Sequence, residues 1–355
     1  MPATSAGTAT VTLLFSTSFG SVLREIGARL ARYILRRLLW AIPIIIFVTF
    51  LAFVALRIGT DPVNSYLRQN PRASAAKIAQ YRAANGLNGS LPEQYFHWFR
   101  HFVTGKWGRS IKGSRPVWPE LKHAFGNTLV LGGLATVVGI AVGVAIGVIA
   151  ALRQYSKFDS AASTGAFIGL SIPPYISAIL LQLLFAVYLT RWLGLSKPFL
   201  PTSGVYPPGH KGFDLWLRLK YLVLPTIVVA IQIIAVYSRY MRASLLDVIN
   251  SEYLRTARAK GISERRVIVR HAMRNALIPV TTQAALDIGA ILGGLIITER
   301  IFEYKGLGDY FLGAFNNGEF PLMMPWLAFV VFAVIFFNLL ADILYAWLDP
   351  RIRID

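Results

Sequence analysis

Apolar residues come in long blocks along this chain, separated by basic and Gly/Pro-rich stretches. A helix needs about 20 apolar residues to span roughly 30 Å of hydrocarbon. Five blocks answer to that description: residues 38–56, 128–152, 222–236, 277–297 and 326–347. The block at 222–236 is short until Tyr221 and residues 237–241 are added, with Arg239 snorkelling at the membrane edge. A sixth apolar stretch, 161–193, is awkward. As one helix it would run about 50 Å, too long for a single perpendicular crossing, and Pro173-Pro174 inside it must kink or break it.

Charge decides how that stretch counts. Short loops rich in Lys and Arg stay cytoplasmic, whereas long loops cross regardless of charge. With one crossing over 161–193, four basic segments share a side: 24–37, Arg153 with Lys157, the dense run 239–274, and Arg351 with Arg353. Two crossings there would put the 239–274 run opposite the N-terminus. The pattern therefore predicts an all-α integral membrane protein with six transmembrane helices and both termini cytoplasmic. It divides into a tail with an interfacial helix (1–37), a first crossing (38–56), a large outer loop (57–127), and a core of five crossings (128–350). The core carries a cytoplasmic loop at 242–275. The outer loop holds eleven Lys and Arg, but its length takes it outside the orientation rule. Within it, Pro92 opens a helix whose Tyr95, Phe96, Phe99, Phe102 and Val103 line one side, the mark of a small structured cap.

The chain begins without the charged region of a signal peptide, since its first basic residue is Arg24. From Val22 onward, Val22, Leu23, Ile26, Leu30 and Ile34 recur at helical spacing opposite Arg29, Arg32 and Arg36, as in a helix lying on the membrane surface. Residues 1–20 are expected to be disordered. Composition agrees with a membrane class: the chain is 55% hydrophobic and 15% charged, too apolar for a soluble protein of 355 residues. There is no cysteine, so disulfides, thiolate metal sites and a cysteine nucleophile are excluded together. The net charge of +19 would fit nucleic acid in a soluble chain. Here the basic residues flank apolar runs, so membrane lipid accounts for them and nucleic acid is not a partner.

The loop between the fourth and fifth crossings has its own pattern: Ser251-Glu252-Tyr253-Leu254-Arg255-Thr256-Ala257-Arg258-Ala259-Lys260-Gly261-Ile262-Ser263-Glu264-Arg265-Arg266. Residues 252–260 are good helix formers, Gly261 is a C-terminal stop, and a second helix starts at Ser263, whose hydroxyl is expected to cap it. From charge alone, an interfacial helix pair held by anionic lipid explains this segment. Ala257, Ala259 and Gly261 add a smooth surface on which another protein's groove can close, which lipid binding does not need.

That loop resembles the cytoplasmic loop of binding-protein-dependent ABC importer permeases, whose pattern is Glu-Ala-Ala, three residues, then Gly. Arg255-Thr256-Ala257 stands in the Glu-Ala-Ala place and Gly261 is the glycine. The missing Glu and the late Pro279 are similar to the dipeptide/oligopeptide (and nickel) branch, as are the stretches 253–261 and 271–279. The resemblance runs from Tyr33 to the C-terminus. It takes in Arg36-Arg37-Leu38-Leu39, Gln94-Tyr95-x-x-Trp98, Gly105-x-x-Gly108-x-Ser110, Asn127-Thr128-Leu129 and Ser171-Ile172-Pro173. It continues through Thr298-Glu299-x-x-Phe302, Gly306-Leu307-Gly308 and Asp349-Pro350-Arg351. Lys305 replaces a usual proline.

The resemblance implies the type I ABC importer permease fold in a prokaryotic inner membrane. It implies a second, homologous permease, two cytoplasmic P-loop ATPase subunits and an extracytoplasmic substrate-binding protein as partners. ATP and magnesium would bind those ATPases, because no Gly-x-x-x-x-Gly-Lys-[Ser/Thr] cradle occurs in this chain. It places Arg255, Ala257, Ala259, Gly261, Ile262, Glu264 and Arg265 at the contact with an ATPase. Polar residues inside crossings cost several kcal/mol when they face lipid, so Ser171, Gln232, Thr282, Gln283, Asp287 and Asn338 are candidates to line a translocation path. Asp287 is the costliest; a structural role beside a polar partner is its other reading.

Other constellations are weaker. His97 and His101 have metal-ligand spacing but no third ligand nearby, so aromatic packing is favoured over metal. Glu299, Glu303, Asp309 and Glu319 are expected to form an acidic outer rim, either solvated or facing a binding protein. A nickel or other small-solute permease is the alternative within the family. A proton-coupled carrier with Asp287 as relay is the alternative outside it. A membrane-embedded hydrolase would need catalytic groups at one depth, and the five histidines fall in loops or at membrane edges.

Overall fold

The computed structural model describes residues 6–59, 61–112 and 115–348, and side chains within these except 6–31, 33, 285–286, 288–294 and 342–348. The amphipathic face read over 22–36 falls largely on side chains outside that set, and Asp349-Pro350-Arg351 and Arg353 lie outside it entirely. Helix α1 (Ala6–Gly59) begins far earlier than expected: helix replaces the expected disorder from Ala6 onward and runs unbroken through the first crossing. No proline interrupts residues 6–42, so a helix nucleated in the apolar segment propagates backward at little cost.

Three short helices follow, α2 (Pro62–Gln69), α3 (Ala75–Ala84) and α4 (Leu91–Val103). Each has its N-terminal donors answered by side chains. Asp61 accepts from Val63 N at 2.9 Å, Ser74 from Lys77 N at 3.4 Å, and Glu93 closes a capping box on Ser90 N at 2.8 Å. The cap docks through Tyr95, which is buried among Phe50, Phe53, Trp98 and Phe99. Its hydroxyl donates to Ile46 O at 3.1 Å and pairs with Thr49 Oγ1 at 2.8 Å. Phe102 is buried as expected, while Phe96 and Val103 are exposed rather than part of the docked face.

The centre of the molecule is α5 (Val117–Leu152), then α6 (Lys157–Ser171), α7 (Pro174–Gln182), a π-helical turn over 183–188, α8 (Leu189–Trp192) and α9 (Leu215–Ile249). The problem stretch 161–193 is thus divided. The chain breaks at Ile172-Pro173, and Pro174–Trp192 is the piece long and apolar enough to cross. Pro173 lacks the N–H that would have bonded Gly169 O. Gln232 of α9 supplies the donor instead, giving Nε2 to Gly169 O at 2.8 Å and to Ile172 O at 3.0 Å. A break at membrane depth persists only when a neighbour satisfies the freed carbonyls.

Beyond α9 come α10 (Glu252–Ala259), α11 (Glu264–Arg266), a π-helical turn over 267–272, α12 (Met273–Gly294), α13 (Ile296–Ile301), α14 (Leu307–Asn316) and α15 (Phe320–Leu348). Ile34–Gly59, Val117–Leu152, Pro174–Trp192, Leu215–Ile249 and Phe320–Ala341 are long and apolar enough to span a membrane. The remaining expected crossing corresponds to α12, much of whose side-chain set is outside those described. The molecule has two distinct ends. One gathers the end of α1, the cap, the start of α5, α14 and the start of α15 around Phe53, Tyr95, Val117, Phe320 and Met323. The other gathers the end of α5, the end of α9 and the elbow α10–α11 around Ala151, Tyr237, Met241, Leu245, Leu254 and Val267.

The α5–α9 contact sets the closeness of everything else. Gly139, Gly143 and Gly147 lie on one stripe of α5, and a Cβ on Gly147 would sit 2.5 Å from Ser238 O and 2.8 Å from Met241 Cβ. Such approach is how helices gain packing where the hydrophobic effect gives none. Gly147→Ala is expected to cost about 1–3 kcal/mol as overpacking. Gly133→Ala, where a Cβ meets nothing within 4 Å, should gain up to about 1 kcal/mol of helix propensity. Thermal unfolding of the two variants in detergent measures the opposite signs; equal shifts would refute the close contact.

Candidate functional site

The elbow at 251–266 is built outward from Leu254, which is fully buried in the cluster that also holds Met241, Leu245, Val267 and Ala276. Helix α10 ends in a Schellman motif. Gly261 takes φ +74°, its N–H donates to Arg258 O at 2.9 Å, and Ile262 N donates to Ala257 O at 3.4 Å. Glycine adopts that backbone without strain. The hydrophobic contact that accompanies the motif is present: Ala257 and Ile262 both pack against the Leu254 cluster. Ser263 precedes α11 but gives it no side-chain cap; the expected hydroxyl bond is replaced by a backbone bond from Arg266 N to Ser263 O at 2.8 Å.

Two cross-ties hold the elbow's shape. Arg258 meets Glu264 through both nitrogens of its fork, at 3.1 and 3.0 Å, and holds that carboxyl below its ordinary range. Asn275 Nδ2 donates to Tyr253 OH at 2.8 Å, fastening α10 to the start of α12. Of the seven residues assigned to the partner contact, Ala257 and Ile262 therefore face largely inward. Arg255, Ala259, Gly261, Glu264 and Arg265 are exposed. A Cβ at Gly261 would meet nothing within 4 Å, so its outer side opens onto free space.

The six polar residues of the crossings fall into separate groups. Gln232 is committed to the helix break, beside Ser171, whose hydroxyl donates to Phe167 O at 2.8 Å. Asp287 accepts from Tyr237 OH at 2.7 Å and Gln283 Nε2 at 2.8 Å, so α9 and α12 are stitched by one carboxyl. Thr282 donates to Ile278 O at 3.0 Å. Asn338 is exposed on α15. His97 and His101 have ring centroids 4.3 Å apart, and His101 Nδ1 lies 2.8 Å from His97 O.

Of the four acidic residues expected to form a rim, Glu303 is exposed, but Glu299, Asp309 and Glu319 are buried, each surrounded by donors of its own chain. Glu319 accepts from Ser110 Oγ and from Ile111 N, fixing the loop after the cap. Asp309 pairs with Arg300 at 3.0 Å and Lys305 at 3.1 Å. Glu299, just past the segment 277–297, accepts from Thr128 Oγ1 at 2.5 Å and Gly308 N at 2.6 Å, and Leu307 N donates to Thr128 Oγ1 at 2.8 Å. This explains the spacing Thr298-Glu299…Gly306-Leu307-Gly308: a Cβ on Gly306 would collide with the Glu299 carboxyl, and one on Gly308 with Ile296. The pattern is visible in the sequence, but only the fold shows that the carboxyl is its hub.

A broken crossing, a glycine-tight helix pair and a docked polar elbow define a multi-pass helical membrane protein. The family model "Binding-protein-dependent transport system inner membrane component" matches residues 143–354, and its N-terminal companion, "Binding-prot-dependent transport system membrane comp, N-term", matches residues 30–134. The chain belongs to this family of binding-protein-dependent transport inner-membrane components. It is 37% identical over 327 residues to the oligopeptide transport system permease protein AppB of Bacillus subtilis, covering 91% of this chain and 100% of that one. It is 34% identical over 334 residues to the dipeptide transport system permease protein DppB of Alkalihalophilus pseudofirmus (90% and 99%). Against the oligopeptide transport system permease protein OppB of Mycobacterium tuberculosis the figure is 32% over 330 residues (92% and 100%). The solved inward facing structure of the MetNI methionine ABC transporter superposes with a TM-score of 0.52 at 16% identity. It covers 66% of this chain and 99% of that one, and so shares the type I ABC importer permease fold.

Burial pushes the Glu299 carboxyl from its ordinary 4.5 up to about 7, against the Thr128 and Gly308 hydrogen bonds that favour the carboxylate. The folded chain thus keeps a proton that the unfolded chain releases above 4.5, so stability falls as pH rises from 4.5 to about 7 and then levels. Glu299→Gln should flatten that slope in thermal unfolding across the same window. A slope unchanged by the substitution would assign it to other groups.

Proposed function

We propose that this chain is one transmembrane subunit of an ATP-driven peptide importer, and that its elbow couples the membrane helices to a cytoplasmic ATPase. One observation carries the reading: the elbow spends its apolar side on its own core and leaves Arg255, Ala259, Gly261, Glu264 and Arg265 outward around a glycine that faces open space. A free surface held this rigidly suits a groove in another protein. The peptide class follows from the oligopeptide and dipeptide permeases that the chain resembles along almost its whole length.

In this reading six helices cross the membrane, α12 among them, with both ends and the basic elbow in the cytoplasm. A second, homologous permease completes the path between the two subunits. Two P-loop ATPases hold ATP and magnesium, and a substrate-binding protein delivers the peptide to the cap end. Closure of the ATPases moves α10, and α10 moves as a unit because Leu254 and the Schellman contact lock it to α9 and the start of α12. Such coupling requires contacts that differ between two states. A rigid elbow gripped by a closing pair meets that requirement.

The test uses the assembled complex with its ATPases and binding protein in liposomes. Ala259→Trp adds bulk on the exposed side without backbone strain; Gly261→Trp adds bulk and strain; Gly261→Asn, tolerant of positive φ, adds little bulk. Peptide uptake and peptide-stimulated ATP hydrolysis are expected to fall about tenfold or more for both Trp variants, the scale of a coupling free energy. Gly261→Asn should stay within about threefold. Wild-type rates for Ala259→Trp would remove the elbow from the coupling surface.

A further inference from the structure

Asp159 is the most deeply buried charge at the elbow end, with 4% of its surface exposed at the start of α6. Arg242 of α9 reaches it with two guanidinium nitrogens, Nε at 2.5 Å and Nη2 at 2.8 Å. The remaining capacity of the carboxyl is used as well: Tyr155 N donates to Oδ2 at 2.9 Å, from a residue held at φ +62°. Asp159 N in turn donates to the Ser156 cap at 3.2 Å. A buried ion pair is a poor way to gain stability, because desolvation offsets most of its attraction. What a bidentate pair does provide is a fixed orientation.

That orientation joins two parts of the molecule. Along α9, the residues 232, 239 and 242 all hold α6 or its end. Gln232 satisfies the break at Gly169 and Ile172, Arg239 lies 4.6 Å over the Phe167 ring, and Arg242 grips Asp159. On the other side of the same turns of α9, Met241 and Leu245 pack with Leu254 of the elbow and Ala151 of α5. Leu254, α9 and α6 therefore form one connected body that ends at the broken crossing.

We propose that the Asp159–Arg242 pair is a positioning element that makes α6, and through it the break before α7, follow the elbow when the elbow moves. The proposal rests on the coupling role given to the elbow. Without the pair, α9 still moves with α10, but the polar ties left to α6 are the Phe167 stack and the Gln232 bonds. These, with the packing of Gly169 against Ile231 and Ala235, sit toward the break, so α6 can swing at its Tyr155 end.

The assembled complex in liposomes tests this through peptide molecules imported per ATP hydrolysed. A merely structural lesion lowers the amount of working complex and both rates together, leaving that ratio unmoved. Asp159→Asn keeps the size and one acceptor oxygen, and Arg242→Lys keeps the charge but not the fork. Both are expected to hydrolyse ATP while the ratio falls about tenfold for Asp159→Asn and less for Arg242→Lys. Should Asp159→Asn fail to assemble, the Arg242→Lys ratio decides alone. Spin labels on Thr256→Cys and Thr164→Cys, in a chain that has no other cysteine, should report one narrow distance with and without ATP in otherwise native protein. In Asp159→Asn the distance should shift with ATP. A wild-type ratio in both variants, or both rates falling at constant ratio, overturns the positioning role. Ala259→Trp runs alongside: wild-type coupling there sinks the elbow's role itself, whatever the pair does, so the two failures are told apart.

Discussion

Helices α5 and α9 lie so close that three glycines of one meet the backbone and Cβ atoms of the other, and the rest of the architecture is arranged on that contact. In hydrocarbon, apolar side chains gain nothing by leaving lipid for one another, so association depends on close dispersion contact and on satisfied polar groups. Gly139, Gly143 and Gly147 supply the first. The free flanks of α9 then supply the second. One flank carries Gln232, Arg239 and Arg242 to α6; another carries Tyr237 to Asp287 of α12; the C-terminal turns carry Met241 and Leu245 to Leu254. Each of these ties is hung from this one helix.

The two ends solve different problems with similar chemistry. At the cap end, buried carboxylates organise backbone: Glu299 gathers Thr128 and the turn at 306–308, and Glu319 gathers Ser110 and Ile111. These two carboxyls are answered by hydroxyl and N–H donors, which fix a loop's path without another long side chain, whereas Asp309 beside them is answered by Arg300 and Lys305. At the elbow end the buried anion is answered by arginine, and the result ties helix to helix rather than loop to helix. The first arrangement fixes the shape of the cap end, the second fixes one helix against another.

Much of this is legible in the sequence, and the reasons are physical. Crossings are legible because lipid demands length and apolarity in one stretch, which leaves a block pattern. The elbow is legible because Gly261 and the small residues before it mark a helix stop on a polar segment. The start of α1 is not, since weakly apolar, proline-free residues carry no sign that a neighbouring helix will extend through them. Nor are the pairings. Glu299, Asp309 and Glu319 read as a solvated rim because charge reads as exposure until the donors around it are seen. Asp159 and Arg242 stand 83 residues apart, and neither has a local pattern that predicts the other. Gln232 stands out as a polar residue in an apolar run, yet the demand it meets lies on a different helix.

The donor missing at Pro173 and the amide at Gln232 amount to one feature written in two places. An ordinary residue at 173 would bring its own N–H to Gly169 O and take from the glutamine the shorter of its two bonds. An apolar residue at 232 would strand two carbonyls beside a proline that can never answer them. Each site is thus a burden without the other. Lineages that mend the broken helix should shed the amide, and lineages that keep the break should keep some donor at that depth.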